Sequence, residues 1–125
     1  MPNTGMSHKL ARAVGDHGEE IAANLASEWG WQIIERNWRC QWGEIDLVAR
    51  DGSTLVVVEV KTRRSARFGA PVEAVTRAKL GRLRRLAWAY AREHKVQASL
   101  IRVDVIGIML RPGAEPLVQH LRGVA

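Results

Sequence analysis

Glu59 and Lys61 stand two residues apart at the end of the apolar run Leu55-Val56-Val57-Val58. In a strand, positions two apart face the same way, so a carboxylate and an ammonium would project side by side from one sheet face. Asp46 lies upstream in an alternating stretch, residues 43–50, and Asp51-Gly52 between the two stretches is a strong hairpin signal. With those two residues as the loop, Arg50 pairs with Ser53 and Asp46 falls opposite Val57. Asp46 then shares a face with Glu59 and Lys61, as the diagonal neighbour of Glu59 at roughly 7–8 Å between backbones. Two carboxylates approaching in this way can share a hard divalent cation, which takes oxygen ligands. A lysine beside them can orient a water or balance negative charge that develops on a reacting group. The competing reading is a solvated face with an ordinary surface ion pair, because E-x-K triplets are common. The cost of burying an Asp and a Glu on a central strand, several kcal/mol each without partners, supports that reading, and Asp46 at the matching parity with the apolar run before Glu59 stands against it.

The elements that must hold these groups follow from periodicity. Residues 11–29 have helical spacing, with Ile21, Ala22, Leu25 and Trp29 on one stripe and Gly30 as a left-handed stop. Residues 31–35 read as a short strand. Residues 43–50 alternate, with Ile45, Leu47 and Ala49 on one side and Glu44, Asp46 and Val48 on the other. The strand 53–61 is too continuously apolar for an exposed edge and is expected at the centre, covered on both faces. A basic loop, 62–69, follows it. Pro71 opens a helix to about residue 94, since proline suits a first turn. A strand at 99–108, a turn at Arg111-Pro112-Gly113 and a last short strand at 117–121 complete the chain. The order α-β-β-β-α-β-(β) predicts an α/β fold, one mixed sheet flanked by helices. We expect a single domain over 11–121, preceded by a flexible tail at 1–10.

The chain has 125 residues, enough for one core. Its 46% hydrophobic and 26% charged residues are ordinary globular composition. No apolar run approaches the roughly 20 residues that span a bilayer, and the first residues lack the pattern of a secretory signal. The single Cys40 excludes an internal disulfide, and no Cys or His cluster has zinc spacing. A cytoplasmic protein is expected. Nineteen Lys and Arg against thirteen Asp and Glu give a net charge of +6, which favours polyanionic partners.

Gly43-Glu44-Ile45-Asp46, Val58-Glu59-Val60-Lys61-Thr62-Arg63, the preceding Arg36-Asn37, the stretch from Phe68 to Val75 and the later Lys79 together resemble the bacterial YraN-like family. The resemblance covers roughly residues 15–108. That family is assigned to the PD-(D/E)-x-K nuclease superfamily, with a restriction-endonuclease-like fold similar to archaeal Holliday-junction resolvases. The resemblance implies a Mg²⁺ (or Mn²⁺) site with Asp46 and Glu59 as ligands, the backbone carbonyl of Val60 as a third, and Lys61 assisting. The motif's proline is absent, because Ile45 precedes Asp46. Resolvase-like members also carry a G-x-x-x-E glutamate in the first helix, which Gly15 to Glu19 fits. Glu19 is then an outer or second-metal ligand. Glu20 competes for that role but lies further round toward solvent. Both could instead be acids favoured by the helix dipole. Glu44 shares the face of Asp46 and is an outer candidate.

The implied activity is a metal-dependent endonuclease acting on DNA phosphodiesters, duplex or branched. The alternative is a non-catalytic nucleic-acid-binding or assembly protein on the same fold. Arg63, Arg64 and Arg67 follow the strand of Lys61 and are expected to hold phosphates. Lys79 falls within the apolar stripe of the second helix, so it either snorkels out or reaches the acidic site, and it joins the nucleic-acid-binding set. On that helix Val75, Leu83, Leu86 and Tyr90 form the buried stripe, while Arg77, Arg84, Arg85 and Arg92 lie opposite with Trp88. Trp29 and Trp31 read as core. Trp38 and Trp42 flank a polar bend and either pack or stack on bases. The four histidines have no visible acid–base partner. Monomer and homodimer both stay open.

Overall fold

The structure, a computed structural model, describes residues 7–125, without the side chain of Phe68. Helix α1 (His8–Glu28) is opened by Ser7, whose hydroxyl accepts from the Leu10 N–H at 3.1 Å. Residues 1–6 of the expected tail lie outside the described residues, and the helix begins ahead of position 11. Its buried stripe is Val14, Gly18, Ala22, Ala23 and Ala26, smaller side chains than the expected Ile21, Leu25 and Trp29. The small residues let the helix axis approach the sheet. A Cβ on Gly18 would overlap the Thr62 hydroxyl and lie 2.8 Å from the Thr62 Cβ.

Five strands form one sheet in the order β1-β2-β3-β4-β5. They are β1 (Gln32–Cys40), β2 (Gly43–Asp51), β3 (Thr54–Arg63), β4 (Leu100–Arg111) and β5 (Ala114–Leu121). β1, β2 and β3 are antiparallel neighbours, β3 and β4 run parallel, and β5 returns antiparallel on β4. The parallel step requires a crossover, which α2 (Arg77–Glu93) supplies. The expected mixed α/β sheet is therefore present, with β3 at its centre. β1, β3 and β5 run longer than periodicity suggested, so Thr62 and Arg63 belong to β3 and not to a loop.

Pro71 does not open the long helix. It starts a separate 3-10 turn, Pro71–Ala74, after which Val75 is extended at φ −95 and ψ 115. Thr76 then caps α2, its Oγ1 accepting from the Lys79 N–H at 3.2 Å. The turn sits on β4 at Gly107, where a Cβ would come within 2.7 Å of Val72 Cγ1. Gly107 is the register partner of Lys61.

Two apolar layers sandwich the sheet. Ala22, Ala23 and Ala26 of α1 pack with Trp31, Leu47, Ala49, Val56, Val58, Val60, Ile106 and Ile108. Leu83, Leu86, Ala87 and Tyr90 of α2 pack with Trp38, Ile45, Val48, Leu55, Val57, Ile101 and Val103. Leu55 to Val58 are fully buried, which contributes roughly 1.5–3 kcal/mol for each such side chain. Trp29, expected in the core, is 41% exposed and stacks on His120 with ring centroids 4.7 Å apart. It caps α1 beyond the last buried turn, with Trp31 edge-on at 5.3 Å as its other ring partner.

His120 does have an acidic partner, which the sequence pattern did not reveal. Its Nε2 lies 2.8 Å from Asp104 Oδ2, and Asp104 has no exposed surface. Arg102 Nε and Nη2 donate to the same carboxylate at 2.9 and 3.1 Å, and the Gly123 N–H donates at 3.0 Å. Arg102 also reaches Asp51 at 3.2 Å and lies over the Trp31 ring. This network ties β5 and the C-terminal turn to β4.

Candidate active site

The hairpin register differs from the expected one by two residues. Asp51 pairs with Thr54 and Leu47 with Val58, so Gly52 and Ser53 form the loop. Gly52 has φ +61 at the first loop position, where a type II′ turn uses glycine. Asp51 is held in the strand by Arg102, a partner the local pattern could not supply. A shift of two preserves parity. Asp46 lies one residue beyond the last pair, Leu47↔Val58, and is no longer the diagonal partner the expected register gave.

The alternation expected for β2 breaks at Asp46. Ile45 packs on the α2 side, whereas Leu47 and Ala49 pack on the α1 side. On the paired strand, Arg36 opposes Leu47 and Trp38 opposes Ile45, with Asn37 between them at φ +55. Asparagine is among the few residues that tolerate this conformation. Beyond Leu47↔Val58 the β2–β3 ladder ends, and the Asp46 side chain takes over. Its Oδ2 accepts from the Val60 N–H at 2.9 Å. The carboxylate is thereby set at the point where β2 and β3 part.

Asp46 is 8% and Glu59 5% exposed. Burial raises the pKa of Asp46 to about 7, and the adjacent Glu59 carboxylate adds to the rise against the Val60 hydrogen bond. Two ammonium groups face Glu59 Oε1, Lys79 Nζ at 3.4 Å and Lys61 Nζ at 3.8 Å. Of the two positions open to Lys79, the structure has the inward one: the N-terminal turn of α2 aims it at the acidic pair.

Glu19 approaches from α1 through the close contact at Gly18. Burial raises its pKa to about 7, the charges of Asp46 and Asp16 add to this, and a hydrogen bond from Asn37 opposes it. Its Oε1 is buried without a hydrogen-bond partner. Glu20 points elsewhere, to Arg36 at 2.7 Å on the exposed flank. Glu44 pairs with Arg39 at 3.1 Å. Asn37 is the contributor that periodicity missed; its positive φ and its contact with Glu19 both depend on the tertiary fold.

The donor set suits a hard divalent cation in its chemistry: carboxylates, no thiolate or imidazole, and one buried oxygen lacking a partner. Among the described residues, no three His, Cys, Asp or Glu side chains stand together as a ready-made metal cluster. At Val60, the amide rather than the carbonyl is what meets Asp46. Two clefts, of about 420 and 550 Å³, share Arg39 and Glu44 as walls. The first leads to Glu19 and the second to Lys79.

The three arginines after Lys61 do not act as one loop. Arg63 ends β3 and its Nε is buried without a partner. Arg64 is exposed and lines a groove with His17 and Arg111. Arg67 lies in the 3-10 turn Ala66–Phe68, its N–H donating to Ser65 Oγ at 3.3 Å. Of the bend tryptophans, Trp38 is buried edge-on against Tyr90, and Trp42 is 67% exposed.

Comparison with known proteins bears on this arrangement. The sequence pattern of the Uncharacterised protein family UPF0102 matches residues 18–108. The chain belongs to that family. This agrees with the YraN-like resemblance, and a PD-(D/E)-x-K assignment is consistent with it. The chain is 53% identical over 112 residues to a UPF0102 protein of Beutenbergia cavernae, covering 90% of this chain and 95% of the relative. A UPF0102 protein of Arthrobacter sp. (strain FB24) is 50% identical over 111 residues, covering 89% and 94%. One from Nocardia farcinica is 48% identical over 113 residues, covering 90% and 89%. The matched segment contains Glu19, Asn37, Asp46, Glu59, Lys61 and Lys79. Among the described residues no helix is long and apolar enough to cross a membrane.

Proposed function

We propose that this protein is a divalent-metal-dependent endonuclease acting on DNA phosphodiesters. The observation that carries the reading is the juxtaposition of Asp46 and Glu59. Both are buried, and the charge of Glu59 helps hold Asp46 near neutral pH. Folding alone gains nothing from two carboxylates pressed together, since apolar residues of similar volume would pack there at lower cost. Asp46 and Glu59 would hold a Mg²⁺ or Mn²⁺ ion, with Glu19 in an outer or second position. When bound, such an ion supplies Lewis-acid polarisation of a phosphoryl oxygen and a more acidic water.

The rest is the work of the protein's own groups. The Val60 N–H fixes Oδ2 of Asp46. Lys61, 30% exposed and 3.8 Å from Glu59, would orient a water and offset negative charge on a pentacoordinate phosphorus. Arg63, Arg64, Arg67 and Lys79 would contribute phosphate contacts of differing reach. The deciding experiment incubates purified protein with linear, nicked and branched DNA, with Mg²⁺, with Mn²⁺ and with EDTA. Metal-dependent cleavage that Asp46→Asn and Lys61→Ala both abolish is the expected result. A non-catalytic nucleic-acid-binding or assembly role is favoured by one observation: Lys61 and Lys79 already neutralise Glu59. Metal-independent DNA binding with no cleavage of any substrate would select it.

A further inference from the structure

Trp42 occupies the second position of the two-residue turn between β1 and β2 and leaves 67% of its surface exposed. Turns favour small or locally hydrogen-bonding residues, and an indole there adds little burial to the fold. The turn rests on α2. From the position of a Cβ on Gly43, Leu86 Cδ1 is 3.4 Å and Arg82 Cδ 3.7 Å away. Between turn and helix lies a groove of about 430 Å³, lined by Trp42, Arg82, Arg85, Leu86, Ala89 and Arg92. That volume is within the roughly 300–1,000 Å³ of ligand clefts. Among the described residues, none of these three guanidinium groups has an acidic partner within 4 Å. At about 100° per residue, Arg82, Arg85, Arg92 and Trp88 occupy one arc of roughly 120° on α2. Trp88 is itself 55% exposed. The outer face of α2 is thus a basic stripe with an exposed indole at each side.

We propose that this groove is a binding site for single-stranded nucleic acid, with an unpaired base stacked on Trp42 and its phosphates held by Arg82, Arg85 and Arg92. Uncompensated guanidinium groups call for a polyanion, and an exposed indole between them calls for a flat π-face. A duplex offers the charge but keeps its base faces stacked inside. Only a single strand, or the unpaired arm of a larger DNA, presents both. Arg82 also lines the cleft that holds Lys79, which pairs with Glu59. From Lys79 to Arg92 the helix spans about 20 Å, so a bound strand of several nucleotides leads to the acidic pair. Its use as a substrate path rests on the nuclease reading; the binding itself does not.

Fluorescence anisotropy in EDTA, with labelled oligothymidylate and a duplex of equal length, tests the site apart from cleavage. Wild type is expected to bind the single strand more tightly than the duplex. Trp42→Ala should weaken single-strand binding about 5- to 100-fold, and Trp42→Phe should restore most of it. Arg82→Ala and Arg85→Ala should each lower the slope of log affinity against log salt by about 0.7, whereas Trp42→Ala leaves the slope unchanged. Circular dichroism should show all variants folded, since the altered side chains project into a surface groove. Unchanged single-strand affinity in Trp42→Ala overturns the proposal. So does a wild-type dimer in sedimentation that Trp42→Ala converts to monomer, because the indole then faces a second copy. Cleavage of duplex DNA with Mn²⁺ is assayed separately. Cleavage with a silent Trp42→Ala refutes this site alone, and stacking without cleavage on any substrate refutes the nuclease reading alone.

Discussion

Asp46→Asn should make the metal-free protein more stable at pH 8, less than half as much so at pH 5, and leave it nearly unchanged only below about pH 4. In the fold, the carboxyl is raised from 3.8 to about 7, first by burial and then by Glu59. The folded protein therefore keeps a proton that the unfolded chain gives up between these values. Its contribution to stability is complete below about pH 4 and is lost as pH rises through 7. Full conversion gives about 4 kcal/mol, and relaxation around the Lys61 and Lys79 pairs brings the expectation to ~2–4 kcal/mol. Asparagine keeps an acceptor for the Val60 N–H and has no charge to desolvate. For a domain of this size that is a Tm rise of roughly 6–20 °C at pH 8. Glu19, also raised to about 7, adds slope of the same sign, so Asp46→Asn flattens the pH profile without removing it. Thermal melts in EDTA from pH 5 to 8.5 measure the difference directly. Repeating them with Mn²⁺ should raise the wild-type Tm at pH 8 and leave Asp46→Asn unmoved. A wild-type minus mutant difference that is constant across this range would refute the reasoning, because the burial penalty would then be absent.

Other outcomes follow from the same geometry. Lys61→Ala should abolish metal-dependent cleavage while changing DNA affinity less than threefold, whereas replacing Arg63, Arg64 and Arg67 together should weaken binding and reduce its salt dependence; filter binding beside a cleavage assay separates the two. Gly18→Ala should destabilise the protein by about 1–3 kcal/mol through overlap with Thr62, and Thr62→Ala in the same chain should recover much of the loss on urea denaturation. Asp104→Ala leaves Arg102 without its buried partner and should cost about 3–5 kcal/mol in chemical denaturation, with cleavage at permissive temperature retained.

The local pattern of residues was enough to determine the element order, the centrality of β3 and the common face of Glu59 and Lys61. These rest on short-range rules: side-chain alternation, an unbroken apolar run and a glycine turn that fixes odd or even pairing. From Leu47 to Asp51 parity survived even though the register moved by two, because a shift of two returns a side chain to its own face, whereas at Asp46 the alternation breaks and the ladder ends. Tertiary structure decided what local rules leave open. Arg102 draws Asp51 into the ladder from a strand fifty residues away in sequence. Asn37 at positive φ and the end of the β2–β3 ladder turn Asp46 toward both Glu59 and Glu19, which no alternation count contains. Lys79 had two outcomes on a helical wheel, and Thr76, by starting α2 late, selects the inward one. Trp38 and Trp42 looked equivalent in sequence, yet Tyr90 buries the first and the tight turn leaves the second in solvent. In each case the deciding partner lies on another element, so its effect exists only once the chain has closed around the sheet.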